Sequence, residues 1–97
     1  MWSIRIHPFV FAQDFPKIGR PAQQRIIKAI YKKLSINPRE YGEPLIGSLK
    51  GYWRLRVDDY RVIYRVEREQ VQVFVIKVGI RRDDEVYRQV SFRLHKL

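Results

Sequence analysis

Cysteine is absent from all 97 residues, which excludes disulfides and thiolate metal centres and makes a reducing cytoplasm the expected setting. No apolar run approaches the ~18 residues of a membrane span. Met1–Ile6 reads as a first strand, not as a basic-then-apolar leader. Histidine is scarce: His7 and His95 stand far apart with no ligand-type neighbours, so neither a zinc site nor a catalytic dyad is expected. Glycines are few, and Gly19, Gly47, Gly51 and Gly79 are scattered as turn residues, with no phosphate-cradling loop among them. No cofactor follows from these residues. Negative charge is also in short supply: ten Asp and Glu against twenty Lys and Arg leave a net charge of +10. Such a surface suits a nucleic acid, an acidic protein, or both. A basic membrane-surface helix fits less well, because no long amphipathic segment carries a continuous cationic face.

What is present is ample for a packed interior. Hydrophobic residues are 45% and aromatics 13% of the chain, too many for disorder. The length suits one domain over residues 1–97. Trp2–His7 alternates as a strand, Trp2, Ile4 and Ile6 against Ser3, Arg5 and His7. After Pro8, Phe11, Phe15 and Ile18 recur at helical spacing, and Pro16 predicts that this helix ends or kinks near Phe15. A second helix has Pro21 in its first turn and an apolar stripe of Ala22, Ile26, Ile30 and Leu34, stopped by Asn37-Pro38. Pro38–Gly51 is a loop rich in proline and glycine.

Tyr52–Val66 alternates large apolar residues with arginines across Asp58-Asp59, the pattern of a β-hairpin. With those two aspartates as the turn, Val57 opposes Tyr60 and Arg56 opposes Arg61. Trp53, Leu55, Val57, Tyr60, Val62 and Tyr64 then share one face, and Arg54, Arg56, Arg61 and Arg65 crowd the other. Like charges placed opposite each other cost a sheet some tenths of a kcal/mol, a cost that suits a polyanion partner. A further turn at Arg68-Glu69 pairs Tyr64 with Val73, Val62 with Val75 and Arg61 with Ile76. Asp83, Asp84 and Glu85 open a last helix, with Val86, Val90, Leu94 and Leu97 inward. The order β-α-α-β-β-β-α predicts an α+β fold: two N-terminal helices packed on a small, mainly antiparallel four-stranded sheet, with a C-terminal helix.

Several segments together, in order along the chain, carry a resemblance. They are Pro44-Leu45, Leu49-Lys50-Gly51-Tyr52, Arg54-Leu55-Arg56, Asp59–Tyr64, and Val75–Arg82 with Tyr87. The chain resembles the RelE/ParE toxin superfamily over nearly its whole length. The resemblance implies a bacterial or archaeal toxin of a type II toxin–antitoxin system, silenced by a cognate acidic antitoxin. In the RelE branch the toxin enters the ribosome and cleaves mRNA, and in the ParE branch it poisons DNA gyrase. The RelE-type cationic set and tyrosine fall on Arg54, Arg56, Arg61, Arg81 and Tyr87. Lysines often stand in that branch where this chain has Arg54 and Arg56, and a His or Lys where it has Ile80. These departures remove groups able to exchange protons near neutral pH.

Metal-independent RNA cleavage uses the ribose 2′-hydroxyl as nucleophile on the adjacent phosphate. Alignment supplies about 7–11 kcal/mol when geometry is good, and one well-placed donor about 3–4 kcal/mol. The planar fork of arginine suits the phosphate, but its permanent charge makes it a poor proton carrier. Arg56, Arg61 and Arg81 are therefore expected to clamp the phosphate, Arg54 to position the strand, and Tyr87 to orient or deprotonate the 2′-hydroxyl. Plainer roles stay open: Arg56 and Arg61 as solvated charges, Arg81 and Arg82 as ion-pair partners of Asp83, Asp84 or Glu85, Tyr87 as core or antitoxin contact. Tyr52 and Phe74, on the arginine side, either stack on bases or lie under the last helix. A gyrase inhibitor and a non-catalytic antitoxin- or nucleic-acid-binding relative remain as alternatives.

Overall fold

A computed structural model of the chain describes residues 1–81 and 85–97. Its strands are β1 (Ser3–Ile6), β2 (Glu43–Pro44), β3 (Tyr52–Val57), β4 (Tyr60–Glu67) and β5 (Gln72–Ile80). They form one sheet in the order β1-β5-β4-β3-β2. β1 runs parallel to β5 and the other pairs are antiparallel. The helices are α1 (Arg20–Ala29), extended by a π turn over Ile30–Leu34, the single-turn α2 (Pro38–Tyr41), and α3 (Glu85–Leu94). No helix among the described residues is long and apolar enough to cross a membrane.

The two sheet faces carry separate cores. Ala22, Ile26, Ile30 and Leu34 bury the α1 stripe against Leu55, Val62, Tyr64, Val73, Val75 and Val78, with Trp53, Val57 and Tyr60 packed alongside. This is the apolar wall that the alternation predicts. On the opposite face Ile63, Phe74 and Ile76 lie under Val86 and Val90 of α3. Each fully buried aliphatic side chain contributes about 1.5–3 kcal/mol relative to exposure, so neither helix is a loose appendage.

Several expectations need correction. Among the described residues the sheet has five strands, because Glu43 and Pro44 pair with Arg54 and Trp53 at the edge of β3. A two-residue strand carries no periodicity, so the sequence reads there as loop. In place of a first α-helix there is a π turn over Val10–Asp14 followed by a 3-10 turn over Phe15–Lys17. Pro16 cannot donate the bond that would continue an α-helix, and the widened turn buries Val10 while leaving Phe11 53% exposed. The first hairpin has the expected register, Val57 with Tyr60 and Arg56 with Arg61. The second does not: Tyr64 pairs with Val75, Val62 with Val78 and Arg61 with Gly79. Four residues, 68–71, occupy its turn instead of two, and Ile76 is an extra residue bulged out opposite Ile63/Tyr64. A bulge of this kind reverses the alternation, which lets Val75 and Val78 reach the same core. Leu97 lies past the end of α3 and is half exposed. Asp83 and Asp84, expected to open that helix, lie outside the described residues.

Asp14 is buried and fully occupied. Its Oδ1 accepts from Lys77 Nζ at 2.8 Å and Arg93 Nη2 at 2.8 Å, and its Oδ2 accepts from Arg93 Nη1 at 2.7 Å and the Val78 N–H at 2.9 Å. Burial lowers the Lys77 ammonium below its ordinary value, although Asp14 pulls it upward. Nearby, His7 Nδ1 accepts from the Phe9 N–H at 3.0 Å, and burial, then Arg93 and Arg5, hold its pKa below the usual histidine range.

Two outcomes follow from this packing. Asp14→Asn removes one charge from a buried ion network, and loss of one partner costs about 3–5 kcal/mol; chemical denaturation should show a midpoint falling accordingly. Gly42→Ala places a Cβ 1.7 Å from the Tyr64 hydroxyl oxygen, whose proton is given to the Pro38 carbonyl at 2.5 Å in a buried site. Its thermal midpoint should drop by several degrees, because the Tyr64 ring, fully buried, cannot retreat.

Candidate active site

The arginine face is assembled by three elements. β3 supplies Arg54 and Arg56 at positions two apart, which directs both side chains to one side of the sheet. The edge strand β2 sets Glu43 directly opposite Arg54. α3 brings Tyr87 over the same face, one residue past the buried Val86. Gly79 allows this close seating, since a Cβ there would lie 2.9 Å from Val86 Cγ2.

The contacts are specific. Arg54 Nη1 donates to the Tyr87 hydroxyl at 3.0 Å, with the guanidinium 6.0 Å from the ring centroid. Glu43 Oε1 lies 3.3 Å from Arg54 Nε and 3.0 Å from Arg56 Nε. The Tyr87 hydroxyl holds the Arg54 guanidinium above its ordinary value; partial burial opposes this and Glu43 adds to it. The side chain of Arg54 is 26% exposed, whereas those of Arg56 and Glu43 are more than half exposed. The cluster is thus anchored on one side and open on the other.

The other two expected residues are placed differently. Arg61 opposes Arg56 in the ladder, yet it is only 6% exposed. Its Nη1 donates to the carbonyls of Asp58 at 3.1 Å and Tyr60 at 2.9 Å. This turns the guanidinium into the hairpin end and away from like charge. Asp58 itself is in the left-handed region at φ 53°, a conformation aspartate tolerates better than most residues. Arg81 is exposed just past β5, and its N–H donates to the Asp59 carbonyl at 2.7 Å. That bond fixes the backbone at Arg81 beside the hairpin turn. Arg65 instead pairs with Glu67 at 2.7 Å and lies over the Phe74 ring at 5.5 Å. Phe74 is covered rather than free for bases.

Sequence reasoning missed Glu43. It precedes Pro44 in a stretch of turn residues, and only the pairing of β2 with β3 brings it to the arginines. No group of three or more His, Cys, Asp and Glu capable of holding a metal ion occurs among the described residues. Chemically, the cluster offers guanidinium donors for an anion, a phenol oxygen that accepts a charged donor, and one carboxylate able to take a proton.

Comparison with known proteins gives this arrangement a context. A family model for the ParE toxin of the type II toxin–antitoxin system parDE matches residues 4–85. The mRNA interferase toxin RelE of Escherichia coli K12 is 34% identical over 83 residues, which cover 84% of this chain and 86% of that protein. Among solved structures, the toxin–antitoxin complex RelBE2 of Mycobacterium tuberculosis matches with a TM-score of 0.77 at 25% identity, covering 82% of this chain and 98% of the other. The isolated E. coli RelE toxin shares the fold with a TM-score of 0.69 at 23% identity, over 97% and 99% of the two chains. The family model spans most of the molecule, including both hairpins and the start of α3, and a relative 34% identical covers 84% of the chain; the chain belongs to the RelE/ParE superfamily of type II toxin–antitoxin toxins.

Proposed function

We propose that this chain is a ribosome-dependent mRNA endoribonuclease, cutting without a metal by attack of a ribose 2′-hydroxyl on the adjacent phosphate. The observation that carries the reading is the contact of Arg54 with Tyr87 beside a carboxylate shared by Arg54 and Arg56. The reaction forms a bond from the 2′-oxygen to phosphorus and breaks the bond to the 5′-oxygen. It leaves a 2′,3′-cyclic phosphate and a 5′-hydroxyl, with the 2′ proton passing to a base on the protein and the departing 5′-oxygen taking a proton from water.

The donors divide between two tasks. Glu43 engages only the Nε of each arginine, so Nη2 of Arg54 and both Nη groups of Arg56 remain for phosphate oxygens. Arg81 adds charge from the end of β5, and Arg61 stiffens the hairpin that carries the others. Tyr87 orients the 2′-hydroxyl, and the Arg54 donor aimed at its phenol oxygen holds that oxygen in place. Glu43 is the carboxylate set against both arginines of this face, which makes it the proton acceptor to set beside Tyr87. Arginine cannot fill that role.

A cognate antitoxin is the second partner. An acidic segment would be drawn to the +10 surface, and Ile63, Phe74 and Ile76 beneath α3 offer an apolar seat if that helix is displaced.

Primer extension on a translated message tests the catalytic reading. Cuts should appear only with ribosomes present, and Tyr87→Phe or Arg54→Ala should slow them about 10²–10³-fold, the usual cost of one charge-stabilising group. Inhibition of gyrase supercoiling with the message intact would select the ParE-type activity instead. Harmless induction of the wild type would leave a non-catalytic antitoxin-binding protein. The antitoxin reading is checked by stopped-flow association between ~0.05 and ~0.5 M salt, over which the rate should fall severalfold as screening shortens the field. A flat rate removes electrostatic steering.

A further inference from the structure

The flank of α3 opposite Tyr87 carries a second cationic concavity. At 3.6 residues per turn, Glu85, Gln89 and Phe92 fall on the side of the helix away from Tyr87, with the buried Val86 and Val90 between, and Lys96 follows in the turn after the helix. That side forms a groove of about 430 Å³ with the Val10–Asp14 turn. The groove shares Asp14, Lys17, Lys77, Glu85 and Gln89 with a neighbouring hollow of about 320 Å³ along the end of β5.

Five cations line the groove, Lys17, Lys77, Arg88, Arg93 and Lys96, against two carboxylates. Asp14 is spent on Lys77 and Arg93, which form a fixed floor. Glu85 accepts from the Gln89 side chain at 2.9 Å. Among the described residues, Lys17, Arg88 and Lys96 have no carboxylate within ion-pair distance. At the rim, Phe92 is 65% exposed, with Lys96 Nζ 4.6 Å from its ring centroid. An aromatic ring that exposed adds little to the core. Cations beside an accessible ring are the two elements that grip single-stranded nucleic acid, charge for the backbone and a flat face for a base. An acidic peptide would use the cations but lacks the flat bases that stack on such a ring.

We propose that the groove between the Val10–Asp14 turn and α3 is a second contact for single-stranded RNA, in which Lys17, Arg88 and Lys96 hold backbone phosphate and Phe92 stacks a base. The inference rests on the RNA-directed reading of the chain and extends it. The groove lies about one helix diameter (~10 Å) from the Arg54–Tyr87 cluster, so a strand crossing α3 engages both. The groove would hold the RNA while the arginine face acts on it.

Fluorescence anisotropy with a labelled oligouridylate about ten nucleotides long, titrated over a range of salt, tests this directly; the length covers one binding site of ~4–16 nucleotides. Arg88, Phe92 and Lys96 are exposed, so their variants should keep the fold. Arg88→Ala with Lys96→Ala should make the slope of log affinity against log salt shallower by about 1.4, or ~0.7 for each phosphate left without its cation. Phe92→Ala should weaken binding roughly 5- to 150-fold, as expected for one stacked base. Unchanged slope and affinity in these variants, or no binding by the wild type, overturns the proposal. So does displacement by inorganic phosphate at matched concentration, which marks a free-anion pocket. Displacement by oligoglutamate as effectively as by unlabelled RNA of equal charge also overturns it, in favour of an acidic-peptide surface. Absence of ribosome-dependent cleavage by the wild type, with these binding defects still seen in the variants, would instead strike only at the nuclease reading.

Discussion

Asp14 is where the fold is tied. The strand β1 ends at Ile6, opposite Val75, while β5 continues to Ile80. The N–H of Val78 therefore faces the place where a neighbouring strand has already ended. The chain turns back through Val10–Asp14 and puts a carboxylate there in place of a strand. The same carboxylate takes Lys77 from β5 and Arg93 from α3, residues 63 and 79 positions away. A buried carboxylate without such partners would cost several kcal/mol. With them, the Val78 N–H and both buried cations have an acceptor. The consequence is positional: Arg93 fixes the last turns of α3, and Val86 and Val90 then set where its first turn lies. Tyr87 meets Arg54 only because that helix is held at both points.

A second constraint comes from crowding like charges on one face. Arg56 and Arg61 are direct cross-strand partners, and two solvated guanidinium groups there would repel. The structure separates them. Arg61 turns into the hairpin and spends its charge on main-chain carbonyls, while Arg56 reaches outward to Glu43. Glu43 is thus both counter-ion and spacer, holding Arg54 and Arg56 by the same oxygen. The edge strand that carries it is only two residues long, yet without that pairing the carboxylate would have no fixed place.

Much of the scaffold was legible in the sequence because its signals are periodic. The alternation from Trp53 to Tyr64 set the first hairpin to the residue, and the four-residue repeat from Ala22 to Leu34 set the buried face of α1. What failed lacked periodicity. The bulge at Ile76 and the four-residue turn before Val73 shifted β5, since Val71–Val78 is largely apolar on both faces and reads equally well in several registers. The π turn at Val10–Asp14 placed Val10 inside where ideal helical spacing chose Phe11. At the site, the face of Arg54 and Arg56 was readable from alternation, and Tyr87 from the family pattern. Glu43 and Asp14 were not, because each acts through partners distant in sequence, and a lone acidic residue gives no local sign of such a bond.

The exposure of the cluster bears on how it works. Arg56 and Glu43 are more than half open to solvent, and charges so placed interact through a high dielectric, where a pair at ~4 Å is worth only about 1 kcal/mol. A face of this kind cannot by itself supply the stabilisation that a crowded phosphorane needs. The same donors become effective once water is excluded around them, because preorganised charge gains strength in a dry site. Alignment, worth about 7–11 kcal/mol in favourable cases, likewise needs a partner that holds the RNA rigid. An open arginine face therefore gains its chemistry from whatever surface closes over it. That gives a physical reason for the proposed cleavage to need the ribosome: in that reading the toxin brings the charge, and the ribosome brings the walls.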